Sequence, residues 1–361
     1  MSAEMVLSRV DLRTMLRLMR TLHRLQQLPA YQQQVIEALP AVARFDPGHA
    51  SVMMGYDFHL TPHGPRLIEV NTNAGGALLA CRAYHPTFPH GPLQTDAPYL
   101  AKLLASFAQE MRLFSKGRHH RPRRVIILDE EPEKQFLAEE MRVMRDLFAA
   151  WGVAAALADP RELQADAEGV FFQGHPVDLI YNRHCDFYLE TPPLVGLRAA
   201  YLAGRVCLTP NPRSYGLLAD KRRMILWSDA SILPGLGLTP RELATLQQVV
   251  PVCRLLAQME ADRLWAGRKQ WVFKPVTAFG SRGVLLGDSI SRQRFQALDP
   301  QTTLVQRFIP PSLAPGTGMK MDWRLFVYRN HLLGVAPRLY QGQVTNFRSP
   351  GSGYAPVRLC R

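Results

Sequence analysis

Closely spaced cysteines are missing from this sequence: Cys81, Cys185, Cys207, Cys253 and Cys360 are odd in number, widely scattered and never form a CxxC pair. That excludes a disulfide framework or a structural zinc site and leaves most of the thiols as expected core residues. Long apolar runs are missing too. Near the N-terminus Arg9, Asp11, Arg13, Arg17 and Arg20 interrupt the apolar residues, so neither a membrane-spanning helix nor a signal-peptide core is expected, and the cytoplasm is the expected compartment. The sequence holds no GxxxxGK, GxGxxG, HExxH or GxSxG, which removes the common phosphate loop, the dinucleotide fingerprint, the zincin helix and the nucleophile elbow. Internal repeats and low-complexity tracts are absent as well.

What is present suits a folded chain of two or three domains: 361 residues, 47% hydrophobic and 20% charged, with 28 Pro and 25 Gly spread along the length. Acidic residues are outnumbered, and the formal charge of +13 favours a polyanionic ligand such as nucleotide phosphate, nucleic acid or an acidic peptide. The densest basic stretch, 116–124 (KGRHHRPRR), lies between two periodic segments and reads as a solvated connector. A nucleic-acid binder would interleave aromatic stacking residues with its charge, and this chain does not, so nucleic acid is the least favoured partner.

Hydrophobic periodicity predicts helices over 11–27, 31–43, 97–114, 132–151, 217–230 and 240–265. It predicts a hairpin from strands 52–60 and 66–71, and buried strands at 124–128, 153–157, 169–172, 178–182 and 206–208. Further strands are expected at 271–274, 284–286, 303–309, 323–328, 332–338 and 343–347. The alternation between 121 and 215 is that of a Rossmann-like α/β layer.

Three groups of residues can carry chemistry. In WVFKP (271–275) and the Gly/Ser loop after it, a strand ending in Lys274 places one ammonium and several backbone N–H groups where a polyphosphate can lie, although the same pattern also makes an ordinary hairpin. In YDFHLTPHGPRLIEVNTNAGG, Glu69 and Asn71 share one strand face, Ile68 and Val70 point into a core, and the hairpin brings Asp57 alongside, so two carboxylates and an amide converge as hard ligands for magnesium. A polar surface hairpin is the alternative. In the C-terminal run, Asp322 and Arg324 alternate with apolar residues and Arg338 ends the next strand; with Lys221 and Lys274 they suggest a cationic cleft rather than a solvated face.

Read in the order 216–361 and then 50–80, the segments ADK (219–221), VFKP with its loop, LVQRFI, DWR, Arg338, TNF…GSG and D…EVNTNAGG resemble the ATP-grasp superfamily, especially ribosomal-protein glutamate ligases, glutathione synthetases and D-alanine:D-alanine ligases. In those families the ExN motif lies at the C-terminal end of the domain; here it stands near the N-terminus, which implies a circularly permuted ATP-grasp fold of α/β (α+β) class. The resemblance implies three regions: 1–120 with N-terminal helices and the permuted metal-binding hairpin at 50–80, 121–215 as a Rossmann-like pre-ATP-grasp domain, and 216–361 as the nucleotide-binding core. It implies ATP and Mg2+, with Mn2+ as a substitute, as cofactors. Lys221 and Lys274 would bind phosphates, and the loop with Gly280, Ser281 and Gly283 would fold over them. The backbone of Gln306, Phe308 and Ile309 would meet adenine, and Asp322 the ribose. Asp57, Glu69 and Asn71 would hold the metal, Arg338 with Arg324 would stabilise the transferring phosphoryl group, and Asn346 matches an asparagine of the glutamate-ligase branch. Arg307 departs from relatives that carry an acidic residue there.

The implied activity is carboxylate–amine or carboxylate–thiol ligation through an acyl phosphate, with amides of Ala74, Gly75 and Gly76 as candidate oxyanion donors. An ATP-grasp kinase or a non-catalytic nucleotide-binding protein would share the same nucleotide residues. The expected partners are a small-molecule or peptide carboxylate and an amine, without a membrane; monomer and homodimer both stay open.

Overall fold

The computed structural model of the protein describes residues 4–84, 95–277, 283–347 and 349–360. Its centre is a six-stranded antiparallel sheet whose main path runs Gly353–Tyr354, His331–Tyr340, Lys320–Tyr328, Met54–Thr61 and Gly64–Asn71, with Ser312–Leu313 beside Lys320–Tyr328. Strands from the two ends of the sequence thus share one sheet: Arg324 pairs with Asp57 and Trp323 with Phe58.

Alternation gives this sheet two unlike faces. Tyr56, Phe58, Leu67, Trp323, Leu325 and Val327 turn to the back, where they share a core with Met15, Leu18, Met19, Leu22 and Leu25 of the helix Arg9–Leu25. Ser8 starts that helix, its Oγ accepting the Asp11 N–H at 3.0 Å. The front face carries Asp57, Glu69, Asp322, Arg324 and Arg338, whose polar groups find partners only in one another, in neighbouring elements or in a ligand.

A second, four-stranded antiparallel sheet orders Cys253–Leu255, Thr303–Arg307, Trp271–Pro275 and Leu285–Leu286. A third is wholly parallel, in the order Cys207–Thr209, Leu179–Asn182, Arg124–Leu128, Ala154–Ala158. Met5–Ser8 runs parallel to Val357–Cys360 and ties the two ends of the described chain together.

Several expected elements are shorter than periodicity suggests, each for a local reason. The 240–265 helix stops at Val249 because Pro251 holds Val250 extended; a strand, Cys253–Leu255, and a second short helix, Ala261–Ala266, follow. The 217–230 helix is a π-turn, Tyr215–Ala219, and a short helix, Arg223–Trp227, broken where the Asp220 carboxylate accepts the Arg222 N–H at 2.9 Å. Pro40 splits 31–43 into Pro29–Ile36 and Ala41–Arg44, and the 132–151 helix begins only at Ala138 after a 3-10 turn at Pro132–Lys134. Strand 169–172 forms, but in a separate three-stranded antiparallel sheet. Residues 343–347 are a loop rather than a strand. Of the cysteines only Cys207 and Cys253 are fully buried; Cys81, Cys185 and Cys360 are half-exposed, and none is in a disulfide. The basic connector 116–123 is exposed apart from Pro122.

Leu18 is fully buried where the helix covers the back of the central sheet. Leu18→Ala should lower the unfolding free energy by about 2–5 kcal/mol, measured by urea denaturation, with the higher end expected because rigid strands cannot close over the cavity.

Candidate functional site

The site begins with a slip in the hairpin register. Gly55 pairs with Asn71, Tyr56 with Val70 and Asp57 with Glu69, but Phe58 then pairs with Leu67, so Ile68 has no opposite residue. A bulge of this kind bends the strand and re-aims the extra residue. Ile68 therefore does not point into the core as strict alternation predicts; it lines the front cavity. Its carbonyl, freed from the ladder, accepts Lys274 Nζ at 3.2 Å and Gln306 Nε2 at 3.3 Å, both from the second sheet. One backbone oxygen thus joins the acidic hairpin to the strand-ending lysine.

On the front face the charges form a buried alternating chain. Asp57, 1% exposed, accepts Arg324 Nε at 2.7 Å and Arg324 Nη2 at 2.6 Å, and pairs with Arg338 Nη2 at 2.8 Å. Arg338 also donates to Asp322 through Nε at 2.6 Å and Nη2 at 3.0 Å, and Asp322 accepts from the Thr345 hydroxyl. These are direct cross-strand neighbours, Asp57 opposite Arg324 and Asp322 opposite Arg338. Burial pushes the Asp57 carboxyl up, but the Arg324 and Arg338 guanidiniums outweigh it and hold the group at about 2. Asn71 Nδ2 donates to Asp57 Oδ2 and Glu69 Oε1, each at 3.3 Å, so the three candidate ligands lie together. Burial lowers the Lys274 ammonium below its ordinary range, opposed chiefly by Glu69.

These groups open into one cavity of about 510 Å³. Asp57, Glu69, Asn71, Lys221, Lys274, Gln306, Phe308, Ile309, Asp322, Arg324, Arg338 and Asn346 all line it. Gly283 stands aside from it: φ is +72° and a Cβ would meet Pro275 Cγ at 2.7 Å, so the turn itself requires glycine. Gly280 and Ser281 lie outside the described residues. In the segment expected to meet adenine, the N–H groups of Arg307 and Phe308 are bonded to Val252 and Gln270 carbonyls at 2.8 Å, and the Ile309 carbonyl receives His59 Nδ1 at 2.7 Å. Gln306 Oε1, in contrast, is buried with no partner among the described residues.

The expected oxyanion donors need correction. Ala74 N–H is bonded to the Met53 carbonyl at 3.0 Å, and Gly76 N–H to Glu140 Oε2 at 2.6 Å, so neither points to a substrate. This loop is instead clamped: Arg183 Nη1 donates to the Asn73 carbonyl at 2.9 Å, while Arg324 Nη1 and the Tyr354 hydroxyl donate to the Gly75 carbonyl at 3.3 and 3.1 Å. Sequence reasoning assigned no role to His59 and Thr345, although both stand inside the quoted hairpin and TNF segments, and it missed Glu140, Arg183 and Tyr354, which come from separate elements. Asp129 and Arg183, each just beyond a parallel strand, also line the cavity. Among the described residues no group of three or more His, Cys, Asp or Glu side chains is placed to hold a metal, so a cation here would depend on two carboxylates and an amide.

Removing one member of a buried charge network strands its partners. Asp57→Asn should cost about 3–5 kcal/mol by urea denaturation at pH 7. A carboxyl depressed from 3.8 to about 2 contributes fully above its unfolded value and loses the contribution on protonation, so the gap to the wild type should shrink as pH falls through that interval.

No protein-family model matches the chain, and no curated protein matches it. Solved structures do. A glutathione synthetase-like effector (GSS30) from Globodera pallida, in its apo form, is similar at a TM-score of 0.61 and 11% identity over 99% of this chain and 89% of its own. A protein assigned as a gamma-glutamylcysteine synthetase from Methylobacillus flagellatus KT is similar at a TM-score of 0.56 and 12% identity, over 99% and 90%. The ATP-grasp ligase PsnB, solved with a minimal precursor, Mg and ADP, shares 12% identity over 64% and 87% at a TM-score of 0.32, too remote to compare in detail. At these identities the likeness is one of architecture, and with the motifs of the sequence it gives the conclusion that the chain has an ATP-grasp-like α/β fold.

Proposed function

We propose that the chain is an ATP-dependent ligase that activates a carboxylate as an acyl phosphate and transfers the acyl group to an amine or thiol. The observation that carries this reading is the Ile68 carbonyl bonded to Lys274 and Gln306, because it sets hard oxygen ligands from one end of the sequence against a phosphate-binding lysine from the other across a single cavity. The same-fold proteins bear synthetase names, which favours ligation over simple phosphoryl transfer.

The residues fit the groups the reaction requires. Gln306 Oε1 is a buried acceptor awaiting a donor, which an adenine amino group would supply. Glu69 makes no ion pair among the described residues; with an Asp57 oxygen and the Asn71 amide oxygen, once that amide turns from donating Nδ2 to the two carboxylates, it would supply the oxygen ligands magnesium or manganese prefers. Such a cation would neutralise charge on the nucleotide phosphates. Lys221 and Lys274 would hold those phosphates, Asp322 the ribose, and Arg338 and Arg324 would face the transferring phosphoryl group, with Asn346 at the rim.

In the first step a substrate carboxylate oxygen forms a bond to the γ-phosphorus while the β,γ-bridging oxygen leaves with ADP. In the second an amine nitrogen or thiol sulfur attacks the acyl carbon, the carbon–oxygen bond to phosphate breaks, and the nucleophile loses its proton. Positioning and electrostatic neutralisation supply most of the catalysis. Regions 1–120 and 216–361 build the nucleotide cleft in this reading, and 121–215 supplies the opposite wall. Among the described residues no helix is long and apolar enough to cross a membrane; a cytoplasmic enzyme acting on small-molecule or peptide substrates is the reading proposed.

Glu69→Gln should abolish ATP turnover, lowering substrate-dependent ADP release at least 100-fold with the circular dichroism spectrum unchanged; wild-type turnover in that variant would refute the metal assignment. Lys274→Ala should weaken ATP binding at least tenfold by calorimetry. A polyphosphate beside the depressed Lys274 ammonium raises its pKa again, so wild-type binding in alkaline buffer should take up protons, visible as a dependence of the binding enthalpy on buffer ionisation, and Lys274→Ala should lose that uptake.

A further inference from the structure

The cavity has a second end, built by the parallel sheet. From the strand Arg124–Leu128 the chain crosses to Ala154–Ala158 on one side, then returns to Leu179–Asn182 on the other and continues outward to Cys207–Thr209. The helix Ala138–Ala150 packs on the face that carries Val125, Ile127, Leu179 and Tyr181, whereas Val195–Leu202 packs on the face that carries Ile126, Leu128 and Ile180. The crossovers part between Arg124–Leu128 and Leu179–Asn182, leaving a crevice beyond their carboxyl ends, the place where open α/β sheets bind ligands.

The first residues past those two strands are Asp129 and Arg183, and both line the cavity. The Arg183 N–H bonds the Leu128 carbonyl at 2.7 Å, which fixes the two strand ends together. The Arg183 guanidinium is committed elsewhere: Nη1 donates to the Asn73 carbonyl at 2.9 Å and the group lies 5.5 Å over the Tyr181 ring. Asp129 makes no ion pair among the described residues, and the hydrogen bond found on its carboxylate there is the N–H of Glu130 on Oδ1 at 2.9 Å. Burial raises this carboxyl to about 6, with Arg183 opposing and with Glu130 and Asp159 nearby, so near neutral pH it is a half-buried anion lining the cavity with no bonded cation among the described residues. An ammonium group would satisfy both the charge and the empty acceptor positions. Phe136, 58% exposed, lines the same cavity, and so does Phe187, whose ring is stacked on Tyr215 at 4.2 Å; together they give an aliphatic or aromatic substrate body apolar surface.

We infer that the strand-end crevice is the subsite for an ammonium-bearing substrate, with Asp129 binding the ammonium and Phe136 and Phe187 the carbon skeleton. This rests on the ligase reading for its purpose but not for its geometry. The ammonium belongs either to an amino acid or peptide end or to a simple aliphatic amine.

The test is calorimetric binding of the full-length protein, with magnesium and a non-hydrolysable ATP analogue present, to the common amino acids, glycylglycine and 1,4-diaminobutane, each beside its N-acetylated form. At least one free amine should bind, its N-acetyl form at least tenfold more weakly, and Asp129→Asn should weaken that amine at least tenfold. The Asn variant keeps an acceptor for the Glu130 N–H, and analogue affinity within twofold of wild type certifies its fold. Binding of the amino acids or dipeptide alone assigns an α-amino end, and of the diamine alone an aliphatic amine; either supports the subsite. Equal amine affinity in Asp129→Asn, equal affinity of the N-acetyl form, or no binding by any panel member overturns it. Those failures leave the nucleotide results for Glu69 and Lys274 untouched, whereas failure of the ligase reading appears there first.

Discussion

The arrangement depends on one carbonyl. Because the hairpin register slips at Ile68, its oxygen is released from the ladder and takes hydrogen bonds from Lys274 and Gln306, which belong to a different sheet. Without the bulge that oxygen would face a neighbouring strand or solvent, Lys274 would be a buried ammonium with Glu69 as its chief relief, and the two sheets would lack a polar seam. The slip therefore fixes the distance between the hairpin carboxylates and the lysine, the dimension a metal-bound polyphosphate would span in the function proposed.

Behind that seam the charges balance along the front face. Arg324, Asp57, Arg338 and Asp322 alternate across three neighbouring strands, so each buried ion has an opposite neighbour and the site is held rigid before any ligand arrives. Glu69 and Lys274 lie outside this closed set, one without an ion pair among the described residues and the other with a depressed pKa. Groups left with unmet electrostatic demand are the ones a ligand can satisfy. The apolar back face, packed on the Arg9–Leu25 helix, gives the network a stiff support.

Much of this was legible in the sequence, and the part that was not has physical causes. The hairpin, the strand-ending lysine and the arginine strands announce themselves through period-two alternation, since each lays polar residues on one face and apolar residues on the other. The bulge does not, because an extra residue leaves the residue types unchanged while reversing the direction of Ile68. Helix limits failed where Pro251 and Pro40 stop the chain and where the Asp220 carboxylate accepts the Arg222 N–H. The clamp on the 73–76 loop was invisible because Glu140, Arg183 and Tyr354 reach it from distant parts of the sequence. Asp129 and Arg183 had a usable signal, a charged residue directly after each of two buried strands, but its meaning required the strand order.

A crystal structure of the protein with ADP and magnesium tests the central proposition most directly. It should show one cation bonded to oxygens of Glu69 and Asn71, with a nucleotide phosphate oxygen within hydrogen-bond distance of Lys274 Nζ. A nucleotide lodged elsewhere, or bound in the cavity with its phosphates turned away from both Lys274 and the hairpin, would contradict it.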